Sequence, residues 1–480
     1  MNERINCPFA AMAAADPDRL ALWGRDGRLS YRQANEKIAA VVSALREKRA
    51  VPGEVVAAIG RNSLNMTILL WAAIRSGLVF MPLDYRLNRS DWKNRLNEAD
   101  CRLLFADDDI DVDDTLIRFD RRIFSSAVIT NAPAIAPLTL DLDRDAALVF
   151  TSGSGGWARG VVLSLANLYY SAGGTLSALP LEPGDSWAAV LPFFHVGGMM
   201  IPVRTALAGS SCYISSDFNP AEIIDLAAEK KITHISLVPA MLRMIIDQDK
   251  NKAMNRLKAI IVGGAGLDDD LRRSILDRKL PVYSSYGLTE TASMVALSDL
   301  NDITSGGSLS GAVLPHREVL ISDQGRILVR GPVVFSRYLD GEPPPTTPDG
   351  WLITEDCGYL DSRQRLVVTG RADRVIISGG ENISLDEIEQ ALIGIEGVKA
   401  ATVLEQNSRR WGQRPIAFVE TTLGETSVKK LKTGLLAILP KYKIPERIID
   451  IPVIPRTGIG KVDKARLREK YPEAFQADDD

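Results

Sequence analysis

Behind Ser30, apolar residues recur at Ala34, Ile38, Val41, Val42 and Leu45, the spacing of one buried helix face, and the pattern stops at Lys48. Ser30 is suited to cap that helix. Beyond the turn Val51-Pro52-Gly53 the texture changes: VVAAIG at 55–60 is unbroken apolar, an apolar helical stretch runs to Arg75, and LVFMPLDY fills 78–85. Strands that are apolar on both faces and alternate with helices predict a parallel sheet. HISLVPA at 234–240 and AIIVGGAG at 259–266 repeat the rhythm, each ending in Gly or Pro. From Arg371 onward a polar turn, SGGEN at 378–382, precedes SLDEIEQALIGI, where Ser384 and Glu387 form an S-x-x-E capping box. A smaller α+β domain of roughly 100 residues is expected to begin there.

Composition narrows the partners. The 480 residues carry 57 Lys and Arg against 61 Asp and Glu, a net charge of −4, and are 46% hydrophobic. A disordered or collagenous chain is excluded. With three histidines and no Lys/Arg block, the surface is not built for nucleic acid or anionic lipid, so a small-molecule partner is expected, and a homo-oligomer is left open. Cys7, Cys101, Cys212 and Cys357 lie far apart without a C-x-x-C pair, which suits a cytoplasmic protein and no structural zinc. Met66–Ile74 is apolar but ends at Arg75, well short of the roughly 20 residues that span a membrane. The start has a stretch of small residues, but Glu3, Pro8 and the lack of a Leu-rich segment argue against a signal peptide. The acidic run Asp107–Asp114 reads as a solvated loop, and Asn131–Leu140 and Glu342–Gly350 as surface connections.

Five segments carry candidate chemistry. The strand-like ALVF (147–150) runs into Thr151-Ser152-Gly153-Ser154-Gly155-Gly156-Trp157-Ala158-Arg159-Gly160, with strand-like VVLS next and no helix evident after it. Hydroxyls and close-approaching glycine amides can wrap a polyphosphate, and Arg159 adds a fixed charge; a Gly/Ser hairpin is the competing reading. Tyr283 to Glu290 places a ring that can stack on a base (Tyr286), a hydroxyl that can bond phosphate (Thr289) and a carboxylate that can hold a divalent cation (Glu290) within eight residues. An ordinary turn at a strand end is the alternative. Gly350 to Tyr359 contains Asp356, Gly370 to Asp373 follows, and Pro455-Arg456-Thr457-Gly458-Ile459-Gly460-Lys461 closes the series.

Taken in order, these segments resemble the signature set of the class I adenylate-forming superfamily, which includes acyl-CoA synthetases, adenylation domains and luciferases. The resemblance spans nearly the whole chain. It implies an α/β fold: a large N-terminal domain of mixed sheets flanked by helices (1–371), and a small mobile α+β C-terminal domain (372–480) hinged near Asp373. It implies ATP, Mg²⁺ and coenzyme A. By position, Thr151, Ser152, Gly153, Ser154, Gly156 and Arg159 match the loop on the β and γ phosphates, with Thr289 beside it and Glu290 on Mg²⁺. Gly263, Gly264, Ala265, Ser285 and Tyr286 match the adenine slot; Asp356 matches the ribose carboxylate, with Arg371 beside it. Lys461 matches the lysine that reaches the reacting carboxylate and α-phosphate. The SGGEN turn, with Gly379 and Gly380, would approach the pantetheine tunnel after rotation. The superfamily loop usually reads T-S-G-[ST]-T-G-x-P-K-G, so Gly155, Ala158 and Arg159 are departures: one hydroxyl and one turn-fixing ring are absent, and Arg keeps the charge of Lys but not its geometry.

Within the superfamily, LPFFHVGG (191–198), HISLVPAML, SYGLTETAS and WGQRPIAF resemble the o-succinylbenzoate-CoA ligases of menaquinone biosynthesis. The resemblance makes His195 a wall or gate of the acyl site, with Gly287 on the substrate side. Arg204, nine residues on in an apolar stretch, would meet the second carboxylate of a dicarboxylic aromatic substrate; an internal salt bridge or an exposed helix face competes. His234 and His316 have no motif support. A fatty or aryl acid-CoA ligase, a carrier-protein-loading enzyme and a non-catalytic ATP-binding relative remain alternatives.

Overall fold

The Ser30 hydroxyl accepts from the Gln33 amide, and the Gln33 side chain accepts from the Ser30 amide at 2.9 Å, so both ends of a capping box start the helix Tyr31–Glu47. Its Ala34, Ile38, Val41 and Leu45 are fully buried, and Ile38, Val41 and Leu45 each contribute about 1.5–3 kcal/mol by leaving water. The computed structural model describes residues 3–475 apart from 108–109, 111–116, 119–121, 126–137, 152–158, 265, 268, 299–308, 379–380, 409–411, 423–426, 440 and 457–461.

The chain is mixed α/β, with a large N-terminal part and a smaller C-terminal α+β part. Val55–Ile59 pairs in parallel with Val79–Leu83 and with Leu103–Ala106, and the helix Leu64–Ser76 makes the crossover, as the apolar runs predict. Among the described residues these strands belong to a seven-stranded sheet whose other edge is Asp145–Phe150, Gly160–Ser164 and the short Arg337–Tyr338. In a thirteen-stranded sheet, Ser186–Ala189, His234–Leu237, Ala259–Val262 and Val282–Leu288 run parallel. The sheet then turns antiparallel through Ser293–Leu297 to Leu352–Leu360 and Leu366–Arg371. Glu342–Gly350 is largely irregular, as expected of a connection, and only Asp107 and Ile110 of the acidic run are described.

Two local expectations need correction. The helix Leu165–Ala178 begins directly after Gly160–Ser164, where the sequence showed none; Ser164 and Asn167 form its capping box. The signal was S-x-x-N, hidden by Gly173 and Gly174, which lower helix propensity. At Ser384 the box is half made. Its hydroxyl caps the Glu387 amide of Leu385–Ile393, while the Glu387 carboxylate turns to Lys443 at 2.6 Å. That helix and Ser427–Ile438 cover a five-stranded sheet of Val375–Ser378, Glu381–Ser384, Val398–Ser408, Gly412–Thr421 and Arg447–Asp450, with its own core around Ile383, Ile388 and Leu431.

Candidate active site

Parallel strands leave backbone groups unpaired at their carboxyl ends, and this is where open α/β sheets bind ligands. Ala259–Val262 ends in Gly263 and Gly264, and the register Val262 opposite Ser284 sets Gly263 beside Ser285. A Cβ on Gly263 would lie 2.5 Å from Ser285 Oγ, so only glycine keeps this slot narrow and lined by backbone; Gly264 has φ +82°. Next along the strand, Tyr286 is buried and its hydroxyl donates to Asp356 Oδ2 at 2.8 Å. Burial chiefly, and then the Asp356 charge, push the phenol well above its ordinary pKa, so it stays a donor. Asp356 stands opposite Arg371 across the antiparallel pair, and the Arg371 guanidinium forms an ion pair with Glu355.

Beyond Leu288 the chain makes a tight turn, Thr289–Thr291, and returns through Ala292 and Ser293, whose φ values of 50° and 104° are left-handed. Such residues persist only when neighbours hold them. Here the Ser171 hydroxyl donates to the Ala292 carbonyl at 2.7 Å and the Phe335 amide to the Glu290 carbonyl at 2.9 Å. The Glu290 carboxyl sits above the usual carboxylate range, because burial disfavours its charge and Glu355 and Asp356 add repulsion. Gly287 is exposed on the same hairpin.

Thr151 and Arg159 close the other wall: the Thr151 amide donates to the Arg159 carbonyl at 2.9 Å across an antiparallel hairpin. The ends of the segment are paired as a hairpin, and residues 152–158 between them lie outside the described residues. The Arg159 guanidinium lies 3.4 Å from the centroid of the Tyr338 ring and 3.3 Å from Asp340. The structure thus brings Thr151, Arg159, Gly263, Gly264, Ser285, Tyr286, Thr289, Glu290, Asp356 and Arg371 to one end of the sheets. Ser152, Gly153, Ser154, Gly156, Ala265, Gly379, Gly380 and Lys461 lie outside the described residues. Asp373 falls in the short turn Ala372–Arg374 that follows Arg371.

Exposed His195 is the N-cap residue of the helix Val196–Ala208, and its ring is 4.7 Å from Phe194. Sequence motifs passed over the residue that fixes this segment. Buried Asn62 donates to the Leu191 carbonyl at 2.8 Å and accepts from the Phe193 amide at 2.9 Å, gripping the loop from 129 residues away. Two and a half turns along the helix, Arg204 is 0% exposed. Nη2 donates to Ser293 Oγ at 3.0 Å, Trp187 lies 5.5 Å away, and Nε and Nη1 have no partner among the described residues. Arg204 is not on an exposed helix face, and no carboxylate among the described residues is within ion-pair range. Burial and then the Arg317 charge push its pKa down. His234 is a buried, neutral core residue, pushed down to about 4 by burial and fixed to Thr233 Oγ1 at 2.9 Å.

The family model described as AMP-binding enzyme matches residues 9–339, and that of the AMP-binding enzyme C-terminal domain matches 387–461. The chain belongs to the AMP-binding enzyme family. Among its relatives, the 2-succinylbenzoate–CoA ligase of Listeria monocytogenes serotype 4b is 32% identical over 87% of this chain and 89% of its own length. That of Geobacillus sp. strain WCH70 is 30% identical over 95% of each chain. The fold of this AMP-binding enzyme matches o-succinylbenzoate CoA synthetase from Bacillus subtilis, solved with the acyl-adenylate intermediate, with a TM-score of 0.87 at 24% identity over 97% of this chain and 98% of that one.

Proposed function

We propose that this AMP-binding enzyme is an ATP-dependent acid–CoA ligase that converts 2-succinylbenzoate, in menaquinone biosynthesis, first to its acyl adenylate and then to the CoA thioester. The observation that carries the substrate choice is Arg204: a fully buried guanidinium with two nitrogens unpaired among the described residues needs an anion, and a dicarboxylate brings one to spare. Relatives bearing that activity in their names, aligned over most of the chain, support it.

The roles we assign come from the resemblance to the superfamily segments, and the geometry supports them. The Gly263–Gly264 backbone and Tyr286 bound an adenine slot, Asp356 accepts the ribose hydroxyls, and Arg371 orients it from the facing strand. Thr151, Thr289 and Arg159 face the β and γ phosphates. A carboxylate whose charge is disfavoured by burial and by two acidic neighbours gains from a divalent cation, so Glu290 fits Mg²⁺, which neutralises phosphate charge when bound. His195 and Gly287 wall the acyl side. Substrate carboxylate attacks the α-phosphorus and pyrophosphate leaves, so no protein base is needed for an acid already ionised. A small domain from Ala372, turning about Asp373, then exchanges Lys461 for the SGGEN turn, and the CoA thiolate attacks the acyl carbonyl with release of AMP.

A panel of acids assayed for pyrophosphate release, with and without CoA, tests this reading. Release with 2-succinylbenzoate, and thioester only when CoA is added, is expected. Release with monocarboxylates alone would overturn the substrate, and nucleotide binding without release for any acid would leave a non-catalytic relative.

Acidity provides a second test. Glu290 must be ionised to hold Mg²⁺, so metal binding expels its proton. Because its pKa is raised, MgATP affinity should fall on acidification while the pH is still above the ordinary carboxylate range, and level off above the raised pKa. Calorimetry across pH should show that slope, and Glu290→Gln should flatten it while weakening MgATP binding throughout; an unchanged slope in the variant would remove Glu290 from the metal.

A further inference from the structure

Arg159 departs from the superfamily lysine, and among the described residues its guanidinium meets Tyr338 and Asp340. Its Cζ lies 3.4 Å over the centroid of Tyr338, a ring that also packs edge-on against Phe335 at 4.6 Å, and it reaches Asp340. The segment carrying these residues is tied to both walls of the nucleotide site. At one end, the Phe335 amide donates to the Glu290 carbonyl at 2.9 Å. At the other, Arg337–Tyr338 pairs with Val161 and Val162, and the Leu339 amide donates to the Gly160 carbonyl at 2.8 Å. The contact is close enough that a Cβ on Gly160 would lie 2.9 Å from Leu339 Cβ.

We infer that the segment 335–340 is a strap that fixes the distance between Glu290 and Arg159, with Tyr338 as the positioning residue that presents the Arg159 guanidinium to the terminal phosphates. The physical reason lies in the loop itself. Ala158 supplies no ring to stiffen the backbone before Arg159, and a long side chain there has many rotamers to lose. A planar guanidinium stacked on an aromatic face gives up that freedom before ATP arrives, which an ammonium cannot do as well. Asp340, half-exposed like Arg159, adds direction more than energy. The inference rests on Glu290 and Arg159 being triphosphate residues.

The test is a double-mutant cycle on the full chain, read by ATP–pyrophosphate exchange and by calorimetric MgATP binding. Tyr338→Leu should raise KM for ATP and Kd for MgATP about 3- to 10-fold. KM for the carboxylate and for CoA should not move, and Tyr338→Phe, which keeps the ring, should behave as wild type. Arg159→Lys, a surface change that keeps the charge and cannot disturb the core, should give a loss like that of Tyr338→Leu. The double variant should be no worse than either single one, because each removes the same stack. Losses that multiply, or a carboxylate KM that rises in step with that for ATP, would overturn the strap. A wild-type chain that binds no MgATP would remove the reading of the site and the strap with it. Binding by wild type combined with multiplying variants would remove the strap alone.

Discussion

Lys461→Ala should lower pyrophosphate release by about 10²–10³-fold, and the capture of supplied acyl adenylate by CoA should stay within about two- to threefold of wild type. The asymmetry is the content of the prediction. In the first half-reaction, negative charge gathers on the oxygens around the α-phosphorus while a carboxylate, itself anionic, approaches it. A cation placed there interacts more strongly with the transition state than with the separated reactants, and only such interactions raise the rate. In the second, as proposed, the small domain has turned and carried Lys461 away before the thiolate attacks the acyl carbonyl and AMP departs, so the lysine does not meet the charge that develops there. The motif PRTGIGK ends at Lys461, as does the match to the C-terminal domain model. Single-turnover assays of each half-reaction separate the two. Equal loss in both would mean that the side chain serves a fixed architecture rather than one orientation of the small domain.

Much of this was legible in the sequence because its physics is local. The period of Ala34, Ile38, Val41 and Leu45 can be satisfied only by a helix with one buried face, and VVAAIG followed by an apolar helix only by a covered parallel strand; both form as expected. The candidate nucleotide site was marked by the resemblance of its segments to the superfamily; small residues and hydroxyls suit a polyphosphate loop, and the close approach of Gly263 to Ser285 agrees with that reading. What escaped was held together across the fold. Asn62 serves a loop 129 residues away, and Arg159 meets Asp340 across 181 residues; neither partner leaves any spacing to detect. Arg204 is intermediate. Its isolation in an apolar stretch was visible, but that it would be buried beside Ser293, against the turn that carries Glu290, was not.

That isolation sets the second large effect. Arg204→Met should melt at or above the wild-type temperature, because removing a buried charge with no carboxylate partner among the described residues relieves a desolvation cost that packing does not repay. The same variant should lose about 2–5 kcal/mol of transition-state binding for 2-succinylbenzoate, roughly 30- to 5,000-fold in kcat/KM, since the second carboxylate would then be buried without a cation. A monocarboxylate of similar size should keep its kcat/KM or improve, so the preference between the two acids should narrow or invert. Arg204→Lys should fall between, keeping charge but losing the planar fork that matches a carboxylate. Thermal melting together with kcat/KM for the paired acids decides the matter. A drop of several degrees with equal losses on both acids would make Arg204 a scaffold for Ser293 and Trp187. Selective loss at unchanged stability is the signature of a site that stays unfavourable until its anion arrives.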